Sequence, residues 1–294
     1  MIQVHRLSKQ FSPGRGIHEL SFTVERGEAT GLIGPNGAGK STTLRCLMGF
    51  VRPTHGYARV AGKNCWQEAA AVHRLVGYLP GDVVLPETMK GRRFLEDIQR
   101  LRGVSGPPTR LNSLLARFDL NPDQAIRLMS KGTRQKLAII AALVSDPAVL
   151  ILDEPTSGLD PLMQQAFLSL MDEERVRGKT VVLSSHIFSE VAWVCDQVAV
   201  LKDGHIVAMD AMARLRAEQE ILFDVTMSQA PTTEALNGLK IVDRRDLVFT
   251  VAVQGDYFRF VRTLANLPVS HLEQRTQSLE TLFRHFYSDG VTHP

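Results

Sequence analysis

Residues 129–160 read MSKGTRQKLAIIAALVSDPAVLILDEPTSGLD. In unbroken order this stretch holds a Ser-x-Gly turn, a helix start, a short apolar strand, two acids and a second tight turn. Val149 to Leu152 is an apolar run of strand length, and it ends on Asp153 and Glu154. Parallel sheets present their ligands at the carboxyl ends of their strands, so the two acids stand where chemistry is expected. Asp153 is placed to hold a Mg²⁺ shell, and Glu154 to orient or deprotonate an attacking water.

Upstream, Gly34-Pro35-Asn36-Gly37-Ala38-Gly39-Lys40-Ser41-Thr42 fits G-x-x-x-x-G-K-[ST]. Ala29 to Ile33 reads as a strand running into this loop, and Thr42 to Phe50 as a helix ended near Arg52-Pro53. Glycines let backbone N–H groups converge on phosphate oxygens, and the following helix adds its positive end. In this motif Lys40 reaches the β- and γ-phosphates of ATP, and the Ser41 hydroxyl joins Asp153 on Mg²⁺.

The rest of the chain reads as alternating elements. Gln3 to Leu7 and Glu19 to Val24 are strands around a turn at Ser12-Pro13-Gly14. A helical region follows from about Pro86 to Val144, with core stripes at Phe94, Leu95, Ile98 and Leu101 and at Leu111, Leu114, Leu115 and Phe118. Thr180 to Ser184 is a second apolar strand after the helix Leu162 to Arg177, which points to a parallel α/β sheet. Val198 to Lys202 and His205 to Ala208, joined at Asp203-Gly204, form a hairpin pattern. After about Glu218 the order becomes βαββαβ, from Ile221 to Met227, Thr233 to Leu239, Ile241 to Asp243, Leu247 to Val253, Tyr257 to Leu267 and Val269 to Arg275. A closing helix, Leu279 to Ser288, follows. That order is a ferredoxin-like split βαβ unit.

Composition sets limits. The 294 residues are 44% hydrophobic and 22% charged, ordinary for a soluble globular protein. A net charge of +3 does not indicate nucleic-acid binding. Cys46, Cys65 and Cys195 are widely spaced and read as free thiols in a reducing compartment. The N-terminus does not read as a signal peptide, and the apolar run Leu137 to Val144 is far short of the roughly 20 residues that span a bilayer. Any membrane role then falls to a partner chain.

Together these motifs resemble the ATP-binding subunits of the ABC transporter superfamily, over residues 1 to about 218. The resemblance implies a P-loop NTPase fold: an α/β RecA-like core with an antiparallel β subdomain and a helical signature subdomain. A small α+β ferredoxin-like domain, residues 219–294, would follow the 1–218 nucleotide-binding domain. Met129-Ser130-Lys131-Gly132-Thr133-Arg134-Gln135 stands at the family's LSGGQ signature; Ser130 and Gly132 match, whereas Lys131 and Thr133 depart. In the family this loop meets ATP held by the other subunit, and Asp160, in Ser157-Gly158-Leu159-Asp160, lies in the loop that crosses between subunits. His186 resembles the switch histidine that contacts the γ-phosphate. Phe11 stands where an aromatic ring stacks on adenine, or else belongs to the core of the opening sheet. Gly77-Tyr78-Leu79-Pro80-Gly81-Asp82 resembles the glutamine-containing loop, with Gly81 in place of Gln and Asp82 as the possible substitute.

The resemblance further implies a homodimer or pseudo-dimer with ATP sandwiched at its interface, cytoplasmic and held at the inner face of the membrane by a separate permease. SKGTRQ, LDEPTSGLDP and SLETLFRHFY resemble the bacterial branch that exports its cargo. Lys90, Arg92, Arg93, Arg100 and Arg102 either face the permease or form a solvated surface. A second reading, a soluble ABC ATPase acting on ribosomes or DNA, lacks the tandem domains or long heptad runs of such proteins. No direct nucleic-acid partner is expected, and no N-K-x-D motif suggests a GTPase.

Overall fold

The computed structural model describes residues 1–103, 109–218, 220–232, 236–255 and 257–275. The chain divides into two compact units, Met1–Met209 and Asp210–Pro294. The division falls upstream of the change of pattern after Glu218.

The first unit opens with a hairpin of β1 (Ile2–Ser12) and β2 (Arg15–Val24), turned by Pro13 and Gly14. Next come β3 (Ala29–Ile33), α1 (Lys40–Leu47), β4 (His55–Val60), β5 (Lys63–Asn64), α2 (Ala69–Leu75) and β6 (Val76–Leu79). α3 (Gly91–Leu101), α4 (Thr109–Arg117) and α5 (Lys131–Leu143) form the helical segment. The chain returns through β7 (Val149–Asp153), α6 (Pro161–Val176), β8 (Thr180–Ser185), α7 (Phe188–Val194), β9 (Gln197–Lys202) and β10 (His205–Ala211).

Two sheets result. A four-stranded antiparallel sheet has the order β2-β1-β4-β5, and a six-stranded sheet the order β10-β9-β3-β8-β7-β6. In the second sheet β9, β3, β8, β7 and β6 pair in parallel. β3, β7 and β8 are buried along their whole lengths, which is why they read as continuous apolar runs. Ile2, Leu7 and Leu20 from the antiparallel sheet share one core with Leu44 and Leu47 of α1 and Ile151 and Val182 of the parallel sheet. α1 is thus anchored between the two sheets, fixing the loop that precedes it.

Register does the rest of the positioning. Ile33 pairs with Ser185 and Asp153 with Ser184, so β3, β7 and β8 all end at one edge of the sheet. Everything that follows those three strands is gathered there.

Several sequence readings shift in detail. α1 starts at Lys40 rather than Thr42, inside the motif itself. In the α3 stripe Leu95 is buried, but Leu101 at the helix end is 84% exposed. Leu111, Leu114 and Phe118 are core residues as expected. Cys46, Cys65 and Cys195 are buried free thiols, and burial pushes the first two up to about 11 and about 12.

The second unit holds α8 (Met212–Glu218), β11 (Ile221–Met227), β12 (Lys240–Arg245), β13 (Val248–Val253), α9 (Tyr257–Leu264) and β14 (Val269–Arg275). Its sheet has the order β12-β13-β11-β14 with every pairing antiparallel, the ferredoxin-like arrangement. Val225, Phe249, Val251, Phe260 and Leu264 form its own core. Of the helix expected at Thr233 to Leu239, residues 233–235 lie outside the described residues and Leu236 to Leu239 make a turn. The expected closing helix, Leu279 to Ser288, also lies outside them.

Candidate nucleotide site

The loop after β3 rims a cleft of about 420 Å³. Its floor runs from Pro35 to Thr42, and Glu154 lines it from the end of β7. Gly39, with φ at 106°, is the N-cap of α1, and a Cβ there would lie 2.6 Å from Ile17 Cγ2. Only glycine meets both demands, the left-handed backbone and the close neighbour. No side chain caps the helix, so its first-turn N–H groups remain available to an anion.

Lys40 is buried, and its ammonium donates to the carbonyls of Gly34 at 2.6 Å and Pro35 at 3.3 Å. It also lies 3.4 Å from Glu154 Oε1. A cation held at the mouth of a helix N-terminus concentrates positive charge where phosphates would sit.

Asp153 is fully buried. Its Oδ1 accepts from Ser41 Oγ at 3.1 Å and from Ser184 Oγ at 2.6 Å, whereas its Oδ2 is buried with no hydrogen-bond partner. A buried carboxylate oxygen without a donor is costly unless a cation compensates it. Burial, helped by the Asp153 charge, pushes the nearby Tyr78 phenol up to about 12, so it stays protonated. A Cβ on Gly81 would stand 3.0 Å from Asp153 Oδ2, so this loop approaches the acid through its backbone. Asp82 lies instead among the residues of a neighbouring cleft with Met129, Lys131 and Ser157.

Glu154 sits at φ 48°, a left-handed conformation uncommon for a non-glycine residue. Its N–H is shared between Ser184 Oγ at 3.0 Å and the Ser184 carbonyl at 3.2 Å. The turn aims its side chain between two groups: Lys40 on one oxygen and His186 Nδ1, 2.7 Å away, on the other. With Nδ1 protonated, the imidazole donates to the carboxylate.

The remaining sequence candidates divide. Phe11 is 61% exposed and lines the cleft, with Lys9 Nζ over its ring at 5.3 Å, so it is no core residue. Ser130, Gly132 and Asp160 do not line this cleft. Ser130 caps α5, its Oγ accepting from the Thr133 N–H at 3.2 Å, and Asp160 caps α6 by accepting from Met163 N–H at 3.0 Å. A Cβ on Gly132 would come 2.7 Å from the Gly158 carbonyl oxygen, so the two turns touch each other. Lys131 is exposed and lies along Gly158. Of the basic cluster, Arg92 pairs with Asp123, and Arg93 and Arg100 with Asp97. Arg102 donates to the carbonyls of His73 and Val76. Sequence reading missed Arg15 and Asp203, which line the cleft, and Ser184, which donates to the Asp153 carboxylate and accepts the Glu154 backbone N–H. Arg15 opens β2 just after the first hairpin turn and Asp203 lies in the turn between β9 and β10, and no motif marks them.

The sequence profile of the ABC transporter family matches residues 17–157. The chain is 34% identical over 239 residues to the Nod factor export ATP-binding protein I of Burkholderia lata, covering 80% of this chain and 78% of that protein. The chain belongs to the ABC transporter ATP-binding proteins. This ABC ATPase is also 32% identical over 303 residues to the daunorubicin resistance ATP-binding protein DrrA3 of Streptomyces coeruleorubidus, covering 98% of this chain and 96% of that one. A solved structure described as the ATP binding subunit of an ABC transporter superposes with a TM-score of 0.69 at 32% identity, over 74% of this chain and 92% of that one. The ABC ATPase is therefore an ATP-binding, ATP-hydrolysing subunit with a P-loop fold, and the cleft at Lys40 is the candidate for its nucleotide site.

Proposed function

We propose that this ABC ATPase drives export through a separate membrane permease, acting as a dimer with ATP held between the two subunits. One observation carries the dimer: Lys40, Asp153, Glu154 and His186 gather at one sheet edge, whereas Ser130, Gly132 and Asp160 lie away from the cleft they are expected to serve. Those residues find a nucleotide if a second copy presents its cleft to them. Among the described residues no helix is long and apolar enough to cross a membrane, which fits a division of labour with a permease. Relatives named for Nod factor export and daunorubicin resistance favour export as the direction. The chain would then lie at the inner face of the membrane.

In this reading the loop N–H groups and Lys40 take the phosphates, Phe11 offers its ring to adenine, and Glu154 orients the attacking water, with His186 steadying its carboxylate. Ser41 and Asp153 would hold Mg²⁺, which neutralises charge on the β- and γ-phosphates when bound; the unpartnered Asp153 Oδ2 fits that ion. Closure of the dimer on ATP and its release after hydrolysis would move the permease. Detergent extraction and affinity purification of the tagged chain test the proposal. Recovery with a polytopic membrane protein that stimulates ATP hydrolysis supports it. Recovery on ribosomes or DNA, with no membrane protein, overturns it.

A further inference from the structure

We propose that Ser184 is a positioning residue that selects which oxygen of Asp153 is offered to the metal ion. The proposal rests on the reading of Asp153 as a metal-holding residue.

Ser184 is fully buried on β8 and pairs directly with Asp153 of β7. Its hydroxyl accepts the Glu154 N–H at 3.0 Å. That contact occupies the lone-pair side of the oxygen and directs the proton toward Asp153 Oδ1, 2.6 Å away. Oδ1 thus takes two hydroxyl donors, Ser184 and Ser41, and Oδ2 takes none. A carboxylate is symmetric about its terminal torsion, and that torsion is broad, so the asymmetry comes from the donors around it. Ser41 alone does not supply a fixed reference, because its hydroxyl is itself expected on the metal. Ser184 faces no such competition. It holds one oxygen, and the other is left turned toward the Gly81 backbone, where no side chain intervenes.

The arrangement separates Ser184 from ordinary core packing. A serine that only filled space would lose little on replacement by alanine, whose volume is close. A serine that orients the acid leaves, on replacement, a carboxylate with one donor and freedom to rotate. Hydrogen bonds to charged groups are among the stronger ones, so the metal contribution should fall by about tenfold or more.

The test compares ATP affinity of the full chain in Mg²⁺ and in EDTA, taking the ratio as the gain that metal confers, for wild type, Ser184→Ala, Asp153→Asn and the double variant. Ser184→Ala should lose about tenfold of this gain with its affinity in EDTA unchanged. In the Asp153→Asn background Ser184→Ala should have no further effect, because the serine acts through the acid. An undiminished gain in Ser184→Ala beside a lost gain in Asp153→Asn overturns the proposal alone. So does a loss in EDTA of equal size, or additive losses in the double variant. An undiminished gain in Asp153→Asn overturns both this proposal and the metal reading beneath it.

Discussion

Lys40 Nζ and Glu154 Oε1 lie 3.4 Å apart, joining the glycine-rich loop to the end of β7 across the floor of the cleft. In the proposed function the two residues have different tasks. Glu154→Gln keeps the shape but removes the base, and a general base contributes roughly 10²- to 10⁴-fold in rate. ATP should still bind and the closed dimer should accumulate, with steady-state hydrolysis reduced by about that factor. Normal turnover would refute the assignment. Lys40→Ala should instead lose nucleotide affinity, measured by titration with a fluorescent ATP analogue.

Gly132→Ala places a Cβ 2.7 Å from the Gly158 carbonyl, a backbone atom that cannot swing aside. The signature turn and the Ser157-Gly158 turn must then separate. Both are expected to serve the partner's nucleotide, so ATP affinity of the monomer should hold while ATP-dependent dimerisation and hydrolysis fall. Sizing chromatography with ATP, alongside monomer titration, distinguishes this from general misfolding.

Glu190 is a buried carboxylate on α7 whose two oxygens accept hydroxyls from different segments, Thr156 in the loop after β7 on one and Ser185 at the end of β8, at 2.7 Å, on the other. It ties the segment after Glu154 to the residue before His186. Glu190→Ala leaves both hydroxyls without their acceptor, at about 1–3 kcal/mol for each group left unsatisfied. Denaturant unfolding should register a loss of roughly that order, and an unchanged midpoint would mean the hydroxyls find other partners.

Asp146 sits among Lys179, Arg177 and Arg110. Burial raises its carboxyl, but hydrogen bonds from Lys179 and Arg177 and the surrounding positive charge outweigh it and bring it down to about 2. The folded value is below the unfolded one of 3.8, so the cluster's contribution is complete above pH 4 and is lost as pH falls toward 2. Glu174, which pairs with Lys179 at 2.5 Å, is lowered too and acts in the same direction. Acid unfolding of Asp146→Asn should show a shallower dependence on pH in that window than the wild type.

Among the described residues, those lining the candidate nucleotide cleft belong to the first unit, and the second unit has its own core. A chain ending at Glu218 should bind ATP with the affinity of the full chain. A truncated protein that folds, by circular dichroism, but does not bind would show that the second unit acts on the site.

Much of this was legible in order of residues. GPNGAGKST and VLILDE carry their own context, because a buried strand must be apolar and must end where ligands bind. The ferredoxin-like unit was readable in its strands, since Val225, Phe249 and Val251 point to one core at period two. Helix boundaries were less so: Lys40 is helical because Gly39 supplies the turn, a backbone fact that hydrophobic periodicity does not register. Leu101 was read as core from spacing alone, but it falls at the last turn of α3, where it is exposed.

By itself the sequence determined the class of chemistry, the candidate phosphate-binding loop and the acids Asp153 and Glu154 at the end of β7, because each lies within a few positions of a motif. Tertiary structure alone decided the relations between distant segments. Ser184 reaches Asp153 because two parallel strands pair in one register, and a shift of one residue would turn that hydroxyl to the other face. Phe11 faces the cleft, and Ser130 and Gly132 stay away from it, because packing of whole elements sets those distances. Separations along a chain of 294 residues do not contain them.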